Sequence, residues 1–390
     1  MFKNLRIKNF KLFKNVEFTK LSHVNLLAGR NNVGKTTLLE AMLLFAKLGS
    51  PAIIISILQN RDLLLNVSPQ KAFIDIPVQH LFPNSEFPTG ESIYIGDFSG
   101  SEYIDIKRVF YKIEILPPEH DSGQEINFIY PQHMEIELGD ELPKTPNIPV
   151  RQKLKITYHL ERPDDGISIT TPANFNFETV DSRYFNEMLA TERTGTVMDT
   201  AVYPVAYVPT HVLSLDYLSE IWDYMIQSNS DDESDVIQTL KLIQPSIVDV
   251  RFIKSQFDNK RTAIVKLEGR KERVPLKNLG QGMSRLLQLA LSLVRAKNGF
   301  LLIDEFENGV HYSVQPEVWN MLFTSAKEFN VQIFATTHSK DTVESFGKIW
   351  QQHEDDGSFH RLSLRKGLIQ AVAYDCEMLD TAITSDIEVR

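Results

Sequence analysis

The stretch NLLAGRNNVGKTTLLEAM, residues 25–42, constrains the fold more than any other part of the chain. A short apolar run meets Gly29, a polar turn follows, and Gly34-Lys35-Thr36-Thr37 opens an amphipathic segment that closes at Gly49. The spacing G-x-x-x-x-G-K-[ST], set between a strand and a helix, is that of a phosphate cradle. Its glycines let the backbone curl until several N–H groups face one anion, and the helix N-terminus adds the favourable end of its dipole. Gly29, Asn31, Asn32 and Gly34 are expected to line the cradle, with Lys35 reaching the β- and γ-phosphates and Thr37 placed for the α-phosphate. The Thr36 hydroxyl is the expected Mg²⁺ ligand.

Such a cradle needs a carboxylate delivered from a distant strand. GFLLIDEFENGVH, residues 299–311, is an apolar strand ending in two adjacent acids. Asp304 is expected in the Mg²⁺ shell, and Glu305 is placed to polarise an attacking water. A buried strand followed by a solvated acidic turn is the bland alternative; it weakens because no other apolar strand here ends in such a pair. Further on, IFATTHS ends in His338. A histidine at a strand end is often structural, but beside a γ-phosphate it could hydrogen-bond that group and register its loss.

Organisation along the chain follows from the hydrophobic pattern. FKNLRIKNFKLFKNVEFT reads as two alternating strands joined around Leu12–Lys14. From about residue 50 to 205 prolines cluster and alternating segments recur, which reads as a β-rich insertion with some helix near 180–192. The acidic run SNSDDESD reads as a solvated linker capping the helix after it. The closing order of helix, strand, helix, strand is that of a parallel sheet covered by helices. The expected fold class is α/β: one nucleotide-binding domain, residues 1–50 and 200–390, split by an insertion at 51–199. The C-terminal DTAITSDIEVR reads as an amphipathic surface helix.

Composition narrows the class further. A single cysteine, Cys376, excludes an internal disulfide and a cysteine-based zinc site, which fits a cytoplasmic protein. No apolar run reaches bilayer length, so no membrane partner is expected. The net charge of −10 argues against tight non-specific nucleic-acid binding. Residues 1–50 nevertheless carry nine Lys/Arg against two Glu. Lys3, Lys8, Lys11 and Lys14 are therefore either a solvated strand face or a local DNA-facing patch.

One more segment, PLKNLGQGMSRLLQLALSLVRAKN at 275–298, precedes the Asp-Glu strand by a single helix. Through LGQGMSR the chain resembles the ABC-type ATPase superfamily, whose L-S-G-G-Q signature opens a helix; Leu279, Gly280, Gly282 and Arg285 carry the match. The resemblance implies an N-terminal antiparallel β lobe, ATP and Mg²⁺ as ligands, and hydrolysis of ATP. It also implies a head-to-tail homodimer, or a higher homo-oligomer, in which each signature faces the γ-phosphate held by the partner. Two departures stand out. Gly280 replaces the signature serine, which implies slow turnover, and FENGVH lacks the usual aspartate of the following loop. In both respects, and in His311 after the turn, the chain is similar to the AAA15/OLD-like group. A Q-loop glutamine is placed only weakly, at Gln79.

The expected chain carries no TOPRIM nuclease of the OLD type. It resembles instead the ATPase subunits of anti-phage defence pairs such as PARIS, which implies a separate effector protein, such as a TOPRIM-type nuclease. A RecF-like DNA-repair clamp is the alternative, with a transporter subunit and a non-hydrolysing scaffold behind it.

Overall fold

In the N-terminal hairpin, alternation interrupted at Asn9, where φ is 53°, decides which face goes inward. Leu5, Ile7, Phe10, Phe13, Val16 and Phe18 are buried, while Arg6, Lys8, Asn15 and Glu17 point the other way. The computed structural model describes residues 1–64, 73–74, 76–87, 91–115, 133–139, 150–162, 167–175, 177, 180–181, 203–228, 231–254, 260–280 and 282–389. The hairpin strands are β1 (Leu5–Phe10) and β2 (Phe13–Phe18), followed by β3 (Val24–Ala28), helix α1 (Lys35–Ala46) and helix α2 (Pro51–Gln59). Next come β4 (Phe73–Ile74), β5 (Ile93–Gly96), β6 (Glu102–Ile115), β7 (His133–Gly139), β8 (Val150–Arg162), β9 (Ile167–Phe175) and β10 (Val180–Asp181). The remainder comprises β11 (Val205–Val208), α3 (Leu215–Ser228), α4 (Asp231–Lys241), β12 (Ile247–Lys254), β13 (Arg261–Leu267), β14 (Val274–Pro275) and α5 (Met283–Arg295). It closes with β15 (Phe300–Ile303), α6 (Gln315–Glu328), β16 (Gln332–Thr337), α7 (Lys340–Trp350), β17 (Gly357–Arg365), β18 (Leu368–Tyr374) and α8 (Cys376–Thr384).

A six-stranded sheet in the order β11-β15-β16-β3-β17-β18 forms the centre. It is parallel apart from the β17–β18 hairpin. Its inner strands β15, β16 and β3 are buried along their whole length because both faces are covered. Leu27, Phe300, Leu302 and Phe334 enter one core with α1, α2 and the antiparallel sheet. Their neighbours Leu26, Leu301, Ile303, Ile333 and Ala335 enter a second core with the helices α3, α5, α6 and α7. The parallel order places the C-terminal ends of β3, β15 and β16 side by side, where the motif residues lie.

The expected boundary at residue 50 is not a boundary in hydrogen bonding. β5 pairs with β1, joining Arg6 to Gly96 and Lys8 to Tyr94. The antiparallel sheet then continues through β6, β8 and β9, with β7 also on β6. Between the two sheets lies α1, buried almost all round, so its one carboxylate, Glu40, needs internal partners. Lys11 donates to Glu40 at 2.9 Å, and Arg61, from just beyond α2, donates at 3.0 and 3.1 Å. Burial lowers the Lys11 pKa and Glu40 opposes that shift. Lys11 therefore leaves the outward lysine face expected of Lys3, Lys8, Lys11 and Lys14.

Other expectations change for local reasons. Asp231, Asp232 and Glu233 make the first turn of α4 rather than a loop, since carboxylates favour the positive end of a helix. α2 starts with Pro51 at its first turn and buries a run of isoleucines that reads equally well as strand. The expected helix near 180–192 lies outside the described residues beyond Asp181. The β17–β18 hairpin goes unforeseen, and of the stretch DTAITSDIEVR expected as a surface helix only 380–384 is helical, as the end of α8, which buries Leu379 and Ala382 and is capped at Ser385. Among the described residues no helix is long and apolar enough to cross a membrane.

Removing one member of a buried ion network leaves the others uncompensated, at a cost of about 3–5 kcal/mol. Glu40→Ala is expected to lose stability of that order in urea unfolding, and Lys11→Met combined with Glu40→Leu is expected to recover most of it.

Candidate functional site

The cradle is built where β3 runs out. Gly34 caps α1 with φ 90°, a left-handed conformation, and sits directly on the Phe13 ring: a Cβ there would lie 2.4 Å from Phe13 Cε1. Only glycine fits both conditions. At Gly29 a Cβ would come within 2.7 Å of the Leu362 carbonyl oxygen and of the Val33 side chain. Asn31 and Asn32 are exposed on the loop, and Asn32 also has positive φ. Lys35 is buried, and its Nζ donates to the carbonyls of Gly29 at 2.6 Å and Arg30 at 2.9 Å. Burial lowers its pKa, against the opposing fields of Glu305, Glu307 and Asp304. Thr37 is buried beneath the loop.

From the other end of the chain β15 delivers Asp304, whose N–H donates to the Val208 carbonyl of β11. Its carboxylate gathers three hydroxyls. Thr336 donates at 2.7 Å, Tyr207 at 3.2 Å and Thr36 at 3.2 Å, the last from the first turn of α1. Burial and the Asp304 charge both push the Tyr207 phenol pKa upward, so it stays a donor. Thr36 and Asp304 present hard oxygens at the mouth of the cradle. Such a set suits Mg²⁺, which takes one or two carboxylates and completes its shell with water and phosphate.

Past Asp304 the chain turns sharply. Glu305 has φ 47°, rare for a residue with a side chain, and its N–H donates to Thr336 Oγ1 at 2.9 Å. Thr336 thereby joins the two acids: its hydroxyl accepts from one residue and donates to the other. Asn308 Nδ2 donates to Glu305 Oε2 at 2.7 Å. His338, half exposed, stands with Nδ1 3.0 Å from Glu307 Oε1 and 3.7 Å from Glu305 Oε1. Lys35, Thr36, Asp304, Glu305 and His338, expected together from sequence, are thus brought together.

The signature segment meets the turn that follows Glu305: a Cβ built on Gly282 would lie 3.5 Å from the Gly309 carbonyl oxygen. Leu279 ends a 3-10 turn, Gly280 is exposed with φ 125° and ψ 156°, and Gly282 leads into α5. That conformation at Gly280 is essentially restricted to glycine, which accounts for the missing serine. Arg285 departs from the expectation. It is completely buried, with Nη1 donating to the Pro209 carbonyl at 2.7 Å, so it anchors α5 to the segment after β11 and is not presented outward. Gln79 sits in a short 3-10 turn at Val78–Leu81, and His311 caps another at Tyr312–Val314. Sequence reasoning overlooked Tyr207, Thr336, Glu307 and Asn308. The first two look like ordinary residues of core strands; the last two were legible only as part of FENGVH.

The chain is similar, at 24% identity, to an ATP/GTP phosphatase of Helicobacter pylori, over 91% of this chain and 90% of that protein. A 66-residue stretch, 17% of this chain and 58% of the other, is 41% identical to an uncharacterised protein of Methanocaldococcus jannaschii. Among solved structures, it is similar to an SMC head bound to the C-winged helix domain of ScpA (TM-score 0.47, 15% identity, covering 97% of this chain and 99% of that one). It is also similar to the SMC head domain from Thermotoga maritima (TM-score 0.42, 14% identity, covering 96% and 100%). Cradle, acidic strand end and signature segment all fall within residues 24–344, the span that matches the family described as "AAA domain, putative AbiEii toxin, Type IV TA system", and the chain belongs to that family of AAA ATPase domains.

Proposed function

We propose that this chain binds ATP with Mg²⁺, hydrolyses it slowly, and uses the cycle of assembly and release to control a separate effector protein in bacterial anti-phage defence. The observation that carries the nucleotide reading is the meeting of Thr36 and Asp304, 268 residues apart in sequence, beside the cradle. The similarity to an ATP/GTP phosphatase supports turnover, and the toxin and "TA system" in the family description support a paired partner.

Lys35 leaves the Gly29 and Arg30 carbonyls to meet phosphate oxygens, with Gly29, Asn31, Asn32, Gly34 and Thr37 shaping the loop around them. Thr36 and Asp304 would hold Mg²⁺, which when bound would offset the negative charge of the phosphates. Glu305 accepts a proton from the attacking water, and its strained backbone aims the carboxylate past the end of β15. His338 hydrogen-bonds the γ-phosphate. Leu279, Gly280 and Gly282 contribute the signature surface to a second copy in a head-to-tail homodimer, and Arg285 supports that surface from within.

The RecF-like alternative needs a basic face for DNA. It is weakened by Lys11, which turns inward to Glu40, and by Arg6, which pairs with Glu17 at 2.8 Å. ATP hydrolysis by the purified chain, with and without linear duplex DNA, separates the two. A rate indifferent to DNA supports the effector reading, and strong stimulation by DNA replaces it with the clamp.

Lys35→Ala is expected to lose measurable ATP binding in a fluorescent-nucleotide titration; normal affinity in that variant would remove the cradle assignment. Glu305→Gln should bind ATP, hydrolyse it at least ~10²-fold more slowly and accumulate as an ATP-bound dimer by light scattering. Gly282→Asp places a carboxylate at the signature surface, where the nearest atom to a new Cβ is the Gly309 carbonyl oxygen at 3.5 Å. The monomer is expected to fold normally and to show no ATP-dependent rise in mass.

A further inference from the structure

The turn after β15 carries an acid that the nucleotide reading leaves without a task. Glu307 lies inside the turn, its side chain 12% exposed against 46% for His338. One of its oxygens, Oε1, accepts from the His338 backbone N–H at 3.0 Å and stands 3.0 Å from the ring Nδ1. Glu305 is 3.7 Å from that same nitrogen, outside hydrogen-bond range, and is held instead by Asn308. The other Glu307 oxygen, Oε2, is buried without a hydrogen-bond partner. Keeping a carboxylate inward in that state has a desolvation cost that a solvent-facing turn would avoid. The compensation is the double contact with His338.

An acceptor on Nδ1 fixes the ring plane and the tautomer of an imidazole, and with them the line along which Nε2 points. We propose that Glu307 is a positioning residue acting through His338: it pins backbone and ring together so that the imidazole meets the γ-phosphate along one direction. The inference rests on the reading of His338 as the γ-phosphate contact.

The test is a double-mutant cycle in the full chain, with kcat and ATP affinity measured separately. Glu307→Ala and His338→Ala are each expected to lower kcat by about 10-fold or more with ATP affinity little changed. The double variant should be no slower than His338→Ala alone, because the second change acts only through the ring. Glu307→Gln keeps an acceptor oxygen and should retain most of kcat. If Glu307→Ala fails to fold, Glu307→Met, which keeps the volume without an acceptor, takes its place in the cycle. A slow His338→Ala combined with fully additive losses, or normal turnover in Glu307→Ala, overturns the positioning role alone. Normal turnover in His338→Ala overturns the His338 assignment itself, and this inference with it.

Discussion

The carboxylate of Asp304 draws hydroxyls from Thr36, Tyr207 and Thr336, which lie 268, 97 and 32 positions from it in the sequence, and the order of the central sheet lets them meet. β11 and β16 flank β15 directly, and β3 follows beyond β16, so two neighbouring strands and the helix after β3 converge on one acid. Hydrogen bonds to a charged group are the stronger kind, worth about 1.5–3 kcal/mol each. The Thr336 hydroxyl then passes the order of this cluster to the backbone of Glu305. Apolar packing on both faces of the sheet supplies the bulk of the stability. The polar cluster decides where the ends of the strands stop relative to one another.

Much of this site is legible in the sequence because its motifs are local. The cradle announces itself through two glycines with defined tasks, and the acidic pair through its place at the end of an apolar run. His338 is legible for the same reason, as the first polar ring after a buried strand. Tyr207 is not, since PVAYVPT presents it as one more residue of a core strand and nothing local says that its hydroxyl reaches Asp304. Arg285 misleads in the opposite sense: its place in a signature-like segment suggests outward display, whereas the helix face it occupies turns it toward the Pro209 carbonyl. α2 falls in the stretch from about residue 50 read as β-rich, because a short run of isoleucines suits a strand as well as a helix.

The pairing of β1 with β5 is the part of the architecture that a division by composition conceals. A change from basic and apolar to proline-rich and alternating looks like a domain border, yet the antiparallel sheet runs across it. The Lys11–Glu40–Arg61 network repeats the point in charges. It ties the hairpin, through Lys11, and Arg61, just beyond α2, to one carboxylate of the cradle helix, a single helical turn from Thr36. The cradle therefore stands on a layer built from both sides of the apparent border.

Gly280 carries a consequence for how such a chain can change. Its backbone lies where a side chain is strained, although the space around its Cα is open. The obstacle to a serine there is thus torsional rather than steric. A serine there would arrive in the wrong backbone basin, at a cost of about 1–3 kcal/mol. The hydroxyl of the common signature does not suit this backbone, so regaining it means moving the main chain as well as changing the residue.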